Sequence, residues 1–208
     1  NKQDTDVFTQ HFTYHGYRYI EVTTDHPVEL NKSSVQGLVA HTDAKRVGWL
    51  TTSSSLMNEI FKAGIWSYVS NMYGIPTDCP QREKNGWTGD GHAITEVVLY
   101  NFDAILFYEK WLRDYIDEQQ PSGEIPHIIP TSGWGYSSNV GPSWTSGLII
   151  IPWYIYLYYG DDHLIQKYYE HYKKYMDYLT FRSKDHLQYI GLGDWTVWET
   201  KTPAAFTS

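Results

Sequence analysis

Between Pro76 and Asp90 the chain reads Pro-Thr-Asp-Cys-Pro-Gln-Arg-Glu-Lys-Asn-Gly-Trp-Thr-Gly-Asp. The carboxylates Asp78, Glu83 and Asp90, the guanidinium of Arg82 and the indole of Trp87 thus share one short segment. Pro76, Pro80, Gly86 and Gly89 argue against a plain helix, so the acids are expected on a loop that gathers them into one cleft. Carboxylates crowded together acquire separated proton affinities, and such pairs are how acid and base roles are assigned near neutral pH. Cleaving a glycosidic bond without a cofactor needs one carboxylic acid to protonate the leaving oxygen and a second carboxylate acting across the ring. Glu83 is the expected acid: Asp78 and Asp90 crowd it, which favours the protonated form, and Arg82 pulls the other way if it points inward. Asp78 and Asp90 are expected to hold sugar hydroxyls and to keep negative potential near a cationic transition state, with Trp87 as a flat wall for a ring face.

Clustered acids have a second use. Asp78, Glu83, Asp90 and His92 could bind a cation, but their spacing matches no EF-hand loop and no zinc motif, so neither a metal nor another cofactor is expected. A solvated loop with scattered charges is the plainer reading, against which the rigid prolines and glycines weigh. Cys79, the single cysteine, lacks a partner for an intramolecular disulfide. Its acidic neighbours work against a thiolate, so it reads as a small packed residue of the turn. His41, His92 and His127 are scattered, and no Ser/His/Asp arrangement or Gly-rich phosphate loop stands at a recognised spacing.

The elements that must position these groups can be read from periodicity. Phe12–Thr23 and Val35–His41 are rich in aromatic and β-branched residues and read as strands, joined by a connection over Asp25–Ser34. From Ser53 the pattern turns helical, with Ser53–Ser55 offering N-caps, Leu56, Ile60, Ile65, Trp66 and Val69 on one face, and Gly74 as the stop. After Asp90 two further helices are expected, separated near Asn101–Asp103. Gln119–Val140 is a long irregular segment containing Trp134 and Tyr136, of the kind that serves binding or catalysis. A helix over Ser143–Tyr159 contains the richest apolar run, Leu148–Tyr159, broken by Pro152 and ended by Gly160, and reads as a buried core helix rather than a membrane span. Another helix follows to about Arg182, with Leu164, Tyr168, Tyr172, Tyr175 and Leu179 on one face. Gly191–Trp195 is a glycine-punctuated loop carrying Asp194 and Trp195, and a last helix would start near Thr202–Pro203.

Composition narrows the partners. A formal charge of -8 disfavours phosphate backbones, so nucleic acid is not an expected partner. Aromatic residues make up 17% of the chain, 19 of them Tyr and 9 Trp, and rings with a polar edge suit sugars and similar ligands, although amphipathic helices account for most of them. No signal peptide opens the sequence, and its abrupt ends lead us to expect a piece of a longer chain.

At these residues the sequence resembles the bacterial α-L-rhamnosidases of glycoside hydrolase family 78. The resemblance rests on Asp78-Cys-Pro-Gln-Arg-Glu83 continuing to Gly86-Trp-Thr-Gly-Asp90, on Phe12–Val22, on Gly123-Glu-Ile-Pro126, on Trp144 and on Gly193-Asp-Trp195. It implies a mainly α fold, part of an (α/α)6 toroid preceded by a short β-strand segment from a β-sandwich. Residues 1–48 would be the end of that sandwich with its linker, and 49–208 the N-terminal part of the catalytic domain. The resemblance assigns Glu83 as general acid, Asp78 and Asp90 as acids contacting rhamnose, Arg82 as the motif arginine, and Trp87, Trp144 and Trp195 as aromatic residues around the sugar. Trp134 and Asp194 join the expected substrate-binding set. The family inverts configuration, which implies a glutamate base from a later part of the toroid. Many relatives carry Trp-Gly-Asp-Ala where this chain has Trp144-Thr-Ser-Gly147, so Ser146 stands in place of an acid.

The expected activity is therefore release of terminal α-L-rhamnose from glycans or glycosides. The expected partners are a rhamnose-containing carbohydrate and the remainder of the catalytic domain, with no membrane span; the substrate class suggests a periplasmic or secreted location. Two other readings remain: a noncatalytic carbohydrate-binding fragment, and another toroid hydrolase or lyase, which for uronic acids would want more positive charge than Arg82 supplies.

Overall fold

The computed structural model describes residues 7–131, 135–136, 141–189 and 191. In chain order they form β1 (Lys45–Arg46), α1 (Ser55–Val69), α2 (Thr88–Ala93), α3 (Thr95–Asn101), β2 (Phe102–Asp103), α4 (Ile105–Glu118), α5 (Pro142–Thr145), α6 (Gly147–Tyr159), α7 (His163–Lys167) and α8 (Tyr169–Arg182). β1 and β2 pair antiparallel, Lys45 opposite Asp103 and Arg46 opposite Phe102.

Most helices form where the apolar period says they should. Ser54 caps α1 by accepting a hydrogen bond from Met57 N at 3.4 Å, so the expected serine cap is in place. The predicted break falls where expected, because Asn101 ends α3, its amide folding back onto the Val97 carbonyl, and Phe102 turns extended to pair with Arg46. α4 buries Phe107, Tyr108, Trp111, Leu112 and Tyr115, a stripe at spacings of three and four. Against it lie Leu148, Ile151 and Ile155 of α6, with Leu164 of α7 and Tyr175 of α8 completing the same core.

Several expectations are corrected. Phe12–Thr23 and Val35–His41 do not form strands: this stretch is irregular and almost wholly exposed. β-Propensity describes fit to a pleated surface, and no described segment runs alongside to provide one. α1 stops at Val69, five residues before Gly74, because Met72 is drawn into a bridge with Pro76 and its carbonyl accepts from Thr42 N at 2.6 Å. Gly74, at φ 72°, turns the chain inside that bridge instead. The helix expected over Ser143–Tyr159 is divided at Ser146, whose hydroxyl bonds back to the Pro142 carbonyl. That expected after the Gly160–Asp162 turn, up to about Arg182, is divided at Tyr168, although its predicted face is buried at Leu164, Tyr168, Tyr172 and Tyr175.

α6 buries one face only, since Trp153, Tyr156 and Leu157 remain exposed. Pro152 sits inside it without ending it, and Gly160 closes it in the left-handed conformation at φ 68°. Among the described residues no helix is long and apolar enough to cross a membrane.

Candidate active site

The acidic segment is a loop that runs directly into a short helix. Asp78 is locked by reciprocal bonds with Asn85: its N–H donates to the Asn85 carbonyl at 3.0 Å, and Asn85 N donates to Asp78 Oδ1 at 2.9 Å. Just before it, buried Thr77 donates its N–H to the Asn71 carbonyl and its hydroxyl to Asn71 Oδ1, both at 2.9 Å. Pro80–Glu83 then form a turn in which Glu83 N donates to Cys79 Sγ at 3.3 Å. Cys79 is thus an acceptor within the turn, in keeping with the packed role expected of it.

Glu83 is exposed, and its Oε2 accepts the indole N–H of Trp87 at 2.9 Å, a bond that fixes the carboxyl against the aromatic wall. Trp87 is anchored from behind. Its ring lies 5.1 Å from that of His127, and its backbone bridges to Ile128. The next residue, Thr88, is fully buried and donates both N–H (2.8 Å) and hydroxyl (3.0 Å) to the His127 carbonyl. Burial lowers the His127 imidazole from its ordinary 6.5, so the ring is neutral at pH 7.

Asp90 does not end the loop, as the sequence suggested, but sits in the first turn of α2, and Gly89 is helical beside it. The reason is close approach. A Cβ at Gly89 would stand 2.7 Å from the Trp144 ring, one at Gly91 2.2 Å from Trp111, and one at Gly86 2.0 Å from the Ile129 carbonyl oxygen. These glycines serve contact rather than helix breaking, and they bring the half-buried Trp144 of α5 to the acidic end of α2. His92, on the same helix, bonds the Ser143 carbonyl through Nε2 at 2.9 Å, tying α2 to the start of α5.

Electrostatically, the arrangement raises the proton affinity of Asp90 above its ordinary 3.8. Burial among surrounding protein is the largest cause; the charges of Asp78 and Glu83 add to it, and Asp90's own backbone and His92 oppose it. Solvent still reaches the Asp90 tip, which limits the size of the effect. Asp78, Glu83, Trp87, Asp90 and Trp144 therefore converge. Arg82 is exposed in the turn and forms no ion pair among the described residues. Trp134, Asp194 and Trp195, and the helix expected near Thr202, lie outside the described residues.

Sequence reasoning missed the residues that support this set. The His127 carbonyl holds Thr88, and Trp111 on α4 donates its indole N–H to the Ile129 carbonyl at 3.0 Å, securing the strip on which Trp87 and Gly86 rest. A proline-flanked Pro126-His127-Ile128-Ile129-Pro130 was the available signal. Tyr14 and Lys84, discussed below, carried none.

Comparison with known proteins agrees with this architecture. Residues 45–208 match the model of the bacterial alpha-L-rhamnosidase 6 hairpin glycosidase domain, and residues 2–41 that of the bacterial alpha-L-rhamnosidase concanavalin-like domain. An alpha-L-rhamnosidase of Formosa agariphila is 34% identical over 202 residues, covering 92% of this chain and 21% of the relative. One from an Alteromonas species is 29% identical over 194 residues, covering 90% and 20%. The chain thus spans about a fifth of the length of these relatives. Among solved structures, an alpha-L-rhamnosidase from Dictyoglumus thermophilum matches with a TM-score of 0.71 at 38% identity, over 74% of this chain and 18% of that one. The Streptomyces avermitilis enzyme complexed with L-rhamnose matches with a TM-score of 0.73 at 28% identity, over 78% and 16%. The helical hairpins described above are accordingly part of a six-hairpin toroid.

Proposed function

The chain belongs to the bacterial alpha-L-rhamnosidases, and from that premise we propose that the whole protein releases terminal α-L-rhamnose from glycans or glycosides with inversion, Glu83 acting as general acid. Residues 1–48 would complete a preceding sandwich domain, and 49–208 would be the first part of the catalytic toroid. The observation that carries the reading is the Trp87 indole held on Glu83 Oε2 at 2.9 Å, with Asp78 and Asp90 close enough for their charges to interact.

In this reading Glu83 gives its proton to the glycosidic oxygen as the C–O bond breaks, and Trp87 keeps the carboxyl aimed along the sugar face. Asp90, whose proton is held more tightly than an ordinary aspartate's, is assigned to hydrogen-bond a sugar hydroxyl. Asp78, pinned by Asn85, remains an acceptor of fixed direction. Trp144 extends the wall begun by Trp87; Arg82, Asp194 and Trp195 are assigned to the substrate-contacting set on the strength of the family motifs, and Trp134 by its place in the irregular segment Gln119–Val140. The remainder of the catalytic domain supplies the base that activates water on the opposite face.

The test is hydrolysis of rhamnosides by the full-length protein and its Glu83→Gln form. General-acid catalysis is worth about 10²–10⁴-fold, so the variant should lose about that much kcat on an alkyl rhamnoside and far less on an aryl rhamnoside with a good leaving group. Equal losses on both substrates would remove Glu83 from the acid role.

A further inference from the structure

Glu83 is exposed on a turn whose internal bonds are few, yet an acid must be held to a fraction of an ångström to donate along the scissile bond. What stiffens the turn comes from far away in sequence. At its start, Gly16 N donates to the Pro80 carbonyl at 3.2 Å. At its end, the ammonium of Lys84, the residue after Glu83, donates to the Tyr14 carbonyl at 2.7 Å and lies 4.6 Å from the centre of the Tyr14 ring. Both ends of the five residues 80–84 are therefore tied to the three residues 14–16.

The tie is built from both sides. The Tyr14 ring stacks on Tyr73 at 3.8 Å and 12°, which anchors it to the chain just before the acidic loop. A Cβ at Gly16 would stand 3.1 Å from the Pro80 ring and 3.3 Å from Gln81, so the two backbones are in tight contact there. Elsewhere the stretch 7–41 is exposed throughout; Tyr14 and Gly16 are its only part-covered residues. Lys84 itself adopts φ 55°, the left-handed region, which a residue with a side chain keeps only where its surroundings impose it. The bond from its ammonium to the Tyr14 carbonyl is one of those surroundings. Burial, then Tyr73 and the charge of Asp78, raise the Tyr14 phenol, which locates the ring against the acidic segment.

We propose that Tyr14 and Lys84 are positioning residues: a strap from the N-terminal segment that clamps the Pro80–Lys84 turn and so aims the Glu83 carboxyl. The inference rests on the reading of Glu83 as general acid. It makes proton delivery depend on a segment that precedes residues 45–208 of the hairpin domain.

The experiment uses the full-length protein with Lys84→Met, Lys84→Arg, Tyr14→Leu and, in parallel, Glu83→Gln. Each is assayed on an alkyl rhamnoside and on an aryl rhamnoside with a good leaving group. Misplacement of a catalytic group costs up to about 10²-fold, and Lys84→Met should lose about tenfold more kcat on the alkyl than on the aryl substrate. Lys84→Arg should recover most of that difference, since it keeps a cation over the ring. Tyr14→Leu, which removes the ring but leaves the carbonyl, should show a smaller split in the same direction, and it decides the matter should Lys84→Met not fold. A role in folding alone would lower both rates equally by reducing the folded fraction, and that result overturns the strap. If Glu83→Gln shows the leaving-group split while neither Lys84→Met nor Tyr14→Leu does, the strap fails and the acid assignment stands. If Glu83→Gln shows no split, both fail together.

Discussion

The acidic loop with α2 and the helix α1 are neighbours in sequence but are built by opposite means. Between Thr77 and His92 several residues are fixed by partners outside the segment: Thr77 by Asn71, Gly86 by Ile129, Thr88 by His127 and His92 by Ser143, with Gly91 packed closely against Trp111. α1 is the better helix by length and capping, yet only Tyr68 of its 15 residues is buried, and Leu56, Met57, Ile60 and Trp66 stand exposed. The difference shows where the chain's tertiary specificity is spent. α1 has a regular period and a local cap to start from, whereas a loop that must present three carboxylates and an indole has no such local pattern and relies on contacts with other segments. Its glycines measure this, because each marks a place where another backbone or ring has moved into the volume of a side chain.

The sharpest way to break that contrast is to put a methyl group at matched glycines in the two helices. In α2, an alanine Cβ at residue 91 would stand 2.2 Å from Trp111, which is fully buried and bonded to Ile129. Alanine favours a helix over glycine, but here overpacking dominates, at about 1–3 kcal/mol. Gly91→Ala should therefore destabilise the full-length protein's catalytic domain in urea unfolding and lower kcat in parallel, because the shift is passed to Asp90 and Trp87. A neutral or stabilising Gly91→Ala would mean that Trp111 can yield, and that the loop is less tightly determined than argued.

At residue 64, inside α1, nothing lies within 4 Å of the added methyl. Gly64→Ala should be stabilising by up to about 1 kcal/mol through helix propensity alone, with no change in kcat. If it destabilises instead, the face of α1 around residue 64 is covered in the whole protein, and the contrast belongs to this portion of the toroid rather than to the finished domain.

What the sequence disclosed follows the same division. Features carried by neighbours along the chain were legible: the Ser54 cap, the break at Asn101–Asp103, the buried face from Leu164 to Tyr175, and the acid set between Asp78 and Asp90. Features made by distant partners were not. Nothing around Tyr14 announces that its carbonyl will hold Lys84 across 70 residues, and nothing around His127 announces that its carbonyl will take both donors of Thr88. The strands expected over 12–23 and 35–41 failed for the converse reason, since Tyr, Ile, Val and Thr report readiness to pair and not the presence of a partner. Gly89 was read as a helix breaker when its reason for being glycine is the ring of Trp144. A glycine's sequence context cannot distinguish a turn from a close approach.

The smallest expected effect tests whether the loop's tight construction carries an electrostatic cost that α1 does not. Asp90 is partly desolvated by neighbouring protein, has Asp78 and Glu83 as like charges and His92 as its opposing neighbour, and its carboxyl is raised above 3.8. The sign follows from linkage: when the folded state binds a proton more tightly than the unfolded state, stability is greatest below the unfolded value and declines as pH rises through the folded one. Between pH 3.8 and the raised value the wild type should therefore lose stability relative to Asp90→Asn, which has no charge to desolvate, and above that window the difference should be constant. Solvent access at the Asp90 tip keeps the change modest. Urea unfolding of both proteins at several pH values across the window reads it directly. A wild type that gains on Asp90→Asn as pH rises would show that His92 and Asp90's own backbone outweigh burial and the two neighbouring acids.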